Sequence, residues 1–188
     1  LDLMYGLPFQ RRDSFGHSAD LAVGLGPERM TLFGYAHVPW MFSHMKLIKE
    51  ADLPNAEDRL NLFNEALERL HAADYVHIGL DHFSKAGSEM DLAQREGRLH
   101  RNFQGYTTDT AKTLLAFGAS AISTLPSGFI QNRSAARDYM NAVKAGGLPT
   151  ARGVGLTDQD RLRALIIERL MCDFQVDLEA ICDQHGVQ

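Results

Sequence analysis

The first half of the chain alternates between short apolar segments and longer segments with helical character. Residues 1–8, 29–39 and 75–81 are apolar runs bounded by glycine, proline or aspartate, which is typical of strands. The segments between them are long enough to be helical crossovers, and such crossovers join parallel strands. The alternation therefore predicts an α/β fold with a parallel barrel or open sheet, whose site lies at the carboxyl ends of the strands.

The helix that precedes the third strand has the clearest signals. Asn55 is a favourable N-cap residue, and Glu65 and Arg69 are spaced to form an ion pair on the solvent side. Its apolar face is predicted to contain Leu60, Phe63, Leu67 and Leu70. Other helices are predicted to begin at Asp13 or Ser14 and to cover residues 88–98.

The second half of the chain has a different pattern. Residues 119–132 predict a hairpin around Pro126-Ser127-Gly128, followed by a helix capped by Ser134. A strand over 150–156 then precedes a helix that Thr157 opens. We therefore expect a boundary near residue 110, between an α/β region over 1–110 and a mixed α+β region over 111–188.

Composition restricts the class of protein. Of the 188 residues, 45% are hydrophobic and 23% are charged, as in a globular protein, and the net charge of −5 does not suggest a nucleic-acid or anionic-membrane surface. No apolar run is long enough to span a bilayer. The two cysteines, Cys172 and Cys182, do not form a metal-binding spacing and fit a reducing cytoplasm, so we expect a cytoplasmic protein.

The stretch from Arg98 to Thr108 has neither helical nor strand periodicity. It reads Arg-Leu-His-Arg-Asn-Phe-Gln-Gly-Tyr-Thr-Thr, with cations, amides, aromatic rings and hydroxyls close together. The residues alone leave two interpretations open, a solvated loop or the lining of a site for an anionic, planar ligand.

The order of residues in this stretch resembles the signature of the oxygen-independent coproporphyrinogen III oxidases, which are radical-SAM enzymes of haem biosynthesis. The resemblance extends to residues 2–8, which read Asp-Leu-Met-Tyr-Gly-Leu-Pro, and to residues 33–39, which contain Tyr-Ala-His-Val-Pro. It also includes residues 152–157 and 171–174 and so covers nearly the whole chain. The chain departs from the family at Thr113, where an acid is usual, and at Ala116, where glycine is common.

The resemblance implies a set of residues that bind S-adenosylmethionine (SAM). Asp2, Ala36 and Ile122 would contact SAM, and Phe103 and Gln104 would lie close to it. From the residues alone, Asp2 lies in an apolar strand, where a buried carboxylate without a partner would be costly. A buried arginine, a backbone N–H or a ligand could each supply that partner.

The family's substrate carries propionates, which arginine recognises well. Arg98, His100 and Arg101 are therefore the candidate substrate-binding residues. We predict no metal site among the histidines, because no paired-ligand spacing such as HExxH is present. The family's [4Fe-4S] cluster needs three cysteines of a CxxxCxxC loop, which this chain lacks, so its ligands are expected upstream of Leu1.

The resemblance implies that residues 1–110 form the later strands of a partial (β/α) radical-SAM barrel and that residues 111–188 begin a mixed α+β C-terminal region. It also implies the oxidative decarboxylation of coproporphyrinogen III to protoporphyrinogen IX. We expect the chain to be a piece of a longer, monomeric enzyme and to be inactive by itself, with no nucleic-acid or membrane partner. The alternative is a radical-SAM-like carrier that binds haem or porphyrin and hands it on without turnover.

Overall fold

The computed structural model describes residues 1–186 and has a mixed α/β architecture in two compact units. The first unit comprises residues Leu1–Leu99, and the second begins at His100. The boundary between the units lies earlier in the chain than the change of pattern that the sequence indicates near residue 110. Whether the two units correspond to the predicted barrel and C-terminal regions stays a prediction.

The first unit contains a four-stranded sheet with helices in the connections. Its elements are β1 (Asp2–Tyr5), α1 (Arg12–Gly24), β2 (Arg29–Gly34), 3₁₀ helices at Ser43–Leu47 and Glu50–Asp52, α2 (Ala56–Ala72), β3 (Tyr75–Ile78), β4 (His82–Lys85) and α3 (Glu89–Arg95). The strand order is β1-β2-β4-β3. The predicted parallel pairing is confirmed for β1 and β2, whereas β4 runs antiparallel to both of its neighbours.

The antiparallel strand arises from a turn that the sequence pattern did not reveal. The apolar run that starts at Tyr75 ends at Ile78, and Gly79 follows with a φ of 60°. Glycine adopts this left-handed conformation without strain, and the chain therefore reverses into β4. Leu80, which the sequence placed within a strand over 75–81, follows this turn and is 46% exposed.

The core of the first unit is formed by α1, α2 and the sheet. On α2 the buried residues are Leu62, Ala66 and Leu70, so the predicted face was wrong at Leu60, which is 59% exposed. The predicted face of α2 and the face that is buried are both apolar. Packing against the small buried residues of α1, such as Ala19, determines which of the two faces is buried. Glu65, predicted on the solvent side, instead pairs with Arg12 of α1, and its side chain is only 15% exposed.

The N-cap residues predicted from the sequence are correct for two helices and wrong for two others. Asn55 caps α2, and Thr157 caps the helix over Asp158–Asp173, through their side chains, as predicted. The first helix begins earlier than expected, at Arg12, and the hydroxyl of Ser14 accepts a hydrogen bond from the backbone N–H of Arg11. Ser134 does not cap a helix, because the helix after it starts at Ala136 without a side-chain cap.

The second unit contains a hairpin, a three-stranded sheet and three helices among the described residues. Its elements are β5 (His100–Asn102), β6 (Gly105–Thr107), β7 (Ile122–Leu125), β8 (Gly128–Asn132), α4 (Ala136–Lys144), β9 (Thr150–Gly155), α5 (Asp158–Asp173) and α6 (Leu178–His185). The predicted hairpin at residues 119–132 is confirmed as β7–β8, and β9 pairs with β8. No helix within the described residues is long and apolar enough to cross a membrane.

Candidate functional site

The polar stretch at residues 98–108 forms a β-hairpin, although its sequence shows no strand periodicity. Strands β5 and β6 pair in antiparallel register, and Phe103 and Gln104 form the turn between them. The Asn102 side chain accepts a hydrogen bond from the Gln104 N–H at 2.8 Å, and Gly105 follows with a φ of 132°. This turn leaves the ring of Phe103 60% exposed at the tip of the hairpin.

The base of this hairpin is fixed to α5. The buried Tyr106 donates its hydroxyl hydrogen bond to the Met171 carbonyl at 2.9 Å. His100 Nδ1 lies 3.0 Å from Glu168 Oε1, which also accepts from the backbone N–H of Arg101 at 3.4 Å. The guanidinium of Arg101 lies over the Tyr106 ring, 5.3 Å from its centroid. The strands of the hairpin are therefore held to α5, whereas the turn at Phe103 is left exposed.

The tip faces a cavity that contains three of the predicted SAM-binding residues. Phe103, Gln104 and Ile122 line a cavity of about 560 Å³, a volume within the usual range for small-molecule sites. The Phe103 ring meets the Phe129 ring edge-on, with centroids 5.3 Å apart. The remaining lining residues are Leu114, Leu115, Ala116, Phe117, Ser120 and Ala121.

Part of the wall of this cavity is a loop that is hydrogen-bonded to β7. Leu114 and Thr124 exchange two backbone hydrogen bonds of 2.9 Å each. Ser123, buried on β7, accepts a hydrogen bond from the Ala116 N–H at 3.0 Å. Ala116 is therefore a lining residue, held by hydrogen bonds at a position where the resembling family commonly has glycine.

The first unit contains the other two predicted SAM contacts, Asp2 and Ala36. Asp2 opens β1 opposite Thr31, whereas Ala36 follows the end of β2. The two residues therefore lie at opposite ends of the parallel pair. The expectation of a buried carboxylate was wrong, because β1 is an edge strand and Asp2 is exposed. No side-chain partner of Asp2 is present among the described residues.

Comparison with known proteins finds relatives that match nearly the whole chain, although no family model matches it. Oxygen-independent coproporphyrinogen III oxidases of Cereibacter sphaeroides and Bradyrhizobium diazoefficiens are each 46% identical to it, over 98% and 100% of the chain. The solved structure of Escherichia coli coproporphyrinogen III oxidase (HemN), described as a radical SAM enzyme, matches with a TM-score of 0.90. That match covers 99% of this chain at 40% identity. Over nearly its whole length the chain is therefore similar to one part of the oxygen-independent coproporphyrinogen III oxidases.

The match also confirms the predicted fold class, later strands of a partial radical-SAM barrel followed by a mixed α+β region. The chain spans about two fifths of the length of these relatives, with 41% and 42% of the two bacterial oxidases and 43% of the solved structure covered.

In this chain, two of the three candidate substrate-binding residues are already paired with carboxylates. Arg98, in the first unit, donates from Nε to Glu96 at 2.7 Å, and both side chains are more than half exposed. His100 is paired with Glu168. Arg101 is exposed and has no carboxylate partner among the described residues.

The described residues do not fit the family's iron–sulfur cluster. No group of three His, Cys, Asp or Glu side chains within residues 1–183 or at the other described positions is arranged to hold a metal. Burial raises the pKa of the Cys172 thiol to about 11, with smaller opposing contributions from nearby charges such as Arg169. Cys172 is thus a protonated core thiol, whereas cluster ligation requires a thiolate.

Proposed function

We propose that this chain supplies part of the SAM and substrate sites of an oxygen-independent coproporphyrinogen III oxidase. The activity would be the conversion of two propionates of coproporphyrinogen III to vinyl groups, which gives protoporphyrinogen IX. The observation that carries the proposal is the 46% identity to two oxidases named for this activity over nearly the whole chain. The cavity that gathers Phe103, Gln104 and Ile122 supports it.

Each cavity residue has a chemical role in this proposal. Phe103 offers an aromatic face for a planar base, and its position is held by Phe129. Gln104 supplies an amide that can donate and accept hydrogen bonds, and Ile122 supplies an apolar wall. Asp2 would contribute a carboxylate, and Ala36 a backbone contact, to SAM.

SAM, together with a [4Fe-4S] cluster whose ligands lie outside these 188 residues, would supply the hydrogen-abstracting chemistry. This chain's own contribution is to bind and orient SAM and substrate. A cytoplasmic location and a monomeric state remain predictions.

Among the candidate cations, Arg101 is best suited to bind a propionate. Its guanidinium is fixed over the Tyr106 ring and is not neutralised by a described carboxylate. A propionate at Arg98 or His100 would have to compete with Glu96 or Glu168. We therefore rank Arg101 above Arg98 and His100 as the substrate residue.

The test is to prepare the full-length protein anaerobically, with its cluster reconstituted, and to measure SAM affinity and protoporphyrinogen IX formation. We expect Phe103→Ala to weaken SAM binding about tenfold, since base–aromatic stacking is of this order. Its thermal stability should be unchanged, because the ring is 60% exposed. Leu148→Ala is the control, because Leu148 is 88% exposed and lies outside the cavity.

Unchanged SAM affinity in Phe103→Ala would remove the cavity from the SAM site. Stoichiometric, transferable haem binding by the wild-type protein, without turnover of coproporphyrinogen, would instead establish the carrier alternative.

A further inference from the structure

Arg59 lies in the first turn of α2, with its guanidinium between the ends of β1 and β2. Its Nη1 donates a 2.8 Å hydrogen bond to the backbone carbonyl of Tyr35, just after β2. Its Cζ lies 5.7 Å from the centroid of the Tyr5 ring at the end of β1. The residue is only partly exposed, and no carboxylate among the described residues pairs with it. The guanidinium therefore retains its full positive charge beside a backbone carbonyl.

Two glycines make the space for this guanidinium. A Cβ on Gly6 would lie 2.7 Å from Nη1 of Arg59, and Gly6 also has a φ of 86°. A Cβ on Gly34 would lie 3.1 Å from Nη2 of Arg59 and 3.1 Å from the Tyr5 hydroxyl. Both strand ends thus approach the guanidinium more closely than a side chain would allow.

The carbonyl that Arg59 binds belongs to the same peptide group as the N–H of Ala36. The N–H of Tyr35 donates a hydrogen bond to the Tyr5 carbonyl at 2.7 Å. The peptide groups before and after Tyr35 are therefore both held by hydrogen bonds. A cation at a carbonyl oxygen polarises the peptide and makes the N–H at its other end a better donor. The Ala36 N–H has no acceptor among the described residues, and Ala36 is exposed.

We propose that Arg59 is a positioning residue that orients and polarises the Tyr35–Ala36 peptide, so that the Ala36 N–H donates a hydrogen bond to SAM. This inference rests on the proposed function, because that function brings SAM to Ala36. Arg59 acts through the backbone and does not itself touch SAM. Its sequence position gives no sign of this role, since it lies on an amphipathic helix that is distant in sequence from Ala36.

The first measurement is SAM affinity in the full-length protein for Arg59→Met, Arg59→Lys and Arg59→Ala. Loss of a charge-assisted hydrogen bond should weaken SAM binding about tenfold in Arg59→Met, and Arg59→Lys should retain part of the affinity because it keeps the charge. Millimolar guanidinium should restore binding to Arg59→Ala by filling the vacated space. Arg29→Met is the control, because Arg29 is exposed and pairs only loosely with Glu28 at 3.6 Å.

The second measurement reports on the peptide itself, without SAM. Tyr-Ala occurs only at residues 35–36 in this sequence, so carbonyl-labelled tyrosine and nitrogen-labelled alanine select one amide by NMR. We expect the Ala36 amide proton to move upfield in Arg59→Met and not in Arg29→Met. If Arg59 only helps to pack α2, Arg59→Met should lower the melting temperature. SAM affinity, measured at a temperature well below melting, should then stay unchanged.

The outcomes separate this inference from the proposed function. Wild-type protein that binds SAM with an affinity unchanged by Arg59→Met would overturn the positioning role. Wild-type protein that does not bind SAM would overturn the proposed function. In either case an unmoved Ala36 amide resonance would show that Arg59 does not polarise this peptide.

Discussion

The carboxylate of Asp2 is exposed at the start of an edge strand and has no side-chain partner among the described residues. An exposed, unpaired carboxylate contributes little to the free energy of folding, so a SAM-binding role and a stabilising role can be measured separately at Asp2. Tyr106 is the opposite case, because its side chain is buried and its hydroxyl hydrogen bond holds the hairpin to α5.

We predict that Asp2→Asn weakens SAM binding about tenfold in the full-length protein, since a hydrogen bond to a charged group is lost. The same change should alter the free energy of unfolding of the chain by less than about 0.5 kcal/mol. Isothermal titration and urea denaturation measure the two effects, with Asp138→Asn, an exposed aspartate of α4, as the control. Equal SAM affinity in the variant and the wild type would exclude Asp2 from the site.

At the scale of elements, helices α1 and α2 are joined by a charge network centred on Glu65. Arg12 of α1 donates to Glu65 Oε2 at 2.6 Å, and Arg69 donates to Oε1 at 2.7 Å, while Arg69 also pairs with Asp20 of α1. Hydrogen bonds from Arg69, and then from Arg12, lower the pKa of Glu65 below its ordinary value. The ionised form is therefore favoured in the folded state.

This shift makes the stability of the first unit depend on pH. Because the folded-state pKa of Glu65 is lowered, its stabilising contribution is present above the ordinary carboxyl pKa and is lost as pH falls through the lowered pKa. We predict that Glu65→Gln lowers the free energy of unfolding by about 1 kcal/mol at pH 7, and by progressively less in acid.

Urea denaturation across this pH range is the measurement. Glu68→Gln, on the exposed side of the same helix, is the matched control and should have little effect at any pH. A Glu65→Gln effect that stayed constant into strong acid would contradict the role of its charge.

The whole molecule distributes its core unevenly between the two units. The main cluster of buried apolar residues, which includes Phe15, Leu32, Leu62 and Phe83, lies entirely within the first unit. In the second unit, the described buried apolar side chains are Tyr106, Cys172 and Ile181, while Phe117 is 88% exposed. Burial of apolar area is the main stabilising contribution to folding, so the first unit should be the more stable.

We predict that limited proteolysis of the 188-residue chain cuts first in the second unit and leaves a resistant piece that ends near Leu99. The irregular segment between β6 and β7 offers exposed sites such as Leu115, which is 65% exposed. Mass spectrometry of the products over time identifies the cut sites. Early cleavage within α1 or α2 would contradict the predicted order of stability.

The sequence by itself determined the features that depend on neighbouring residues. The caps at Asn55 and Thr157 follow from side chains that reach an N–H three residues ahead, and the β7–β8 hairpin follows from its turn residues. The signature stretch indicated the similarity to these oxidases because its residue types are specific. The wider resemblance also named Phe103, Gln104 and Ile122, which line one cavity.

Only the tertiary structure decided the features that depend on distant residues. The choice of Leu62 over Leu60 on α2 required the partner helix, and the exposure of Asp2 required the position of β1 at the sheet edge. The contact of Arg59 with the Tyr35 carbonyl joins a helix start to a strand end, 24 residues apart. Periodicity describes which faces an element offers, but the partner that covers a face is chosen by long-range packing.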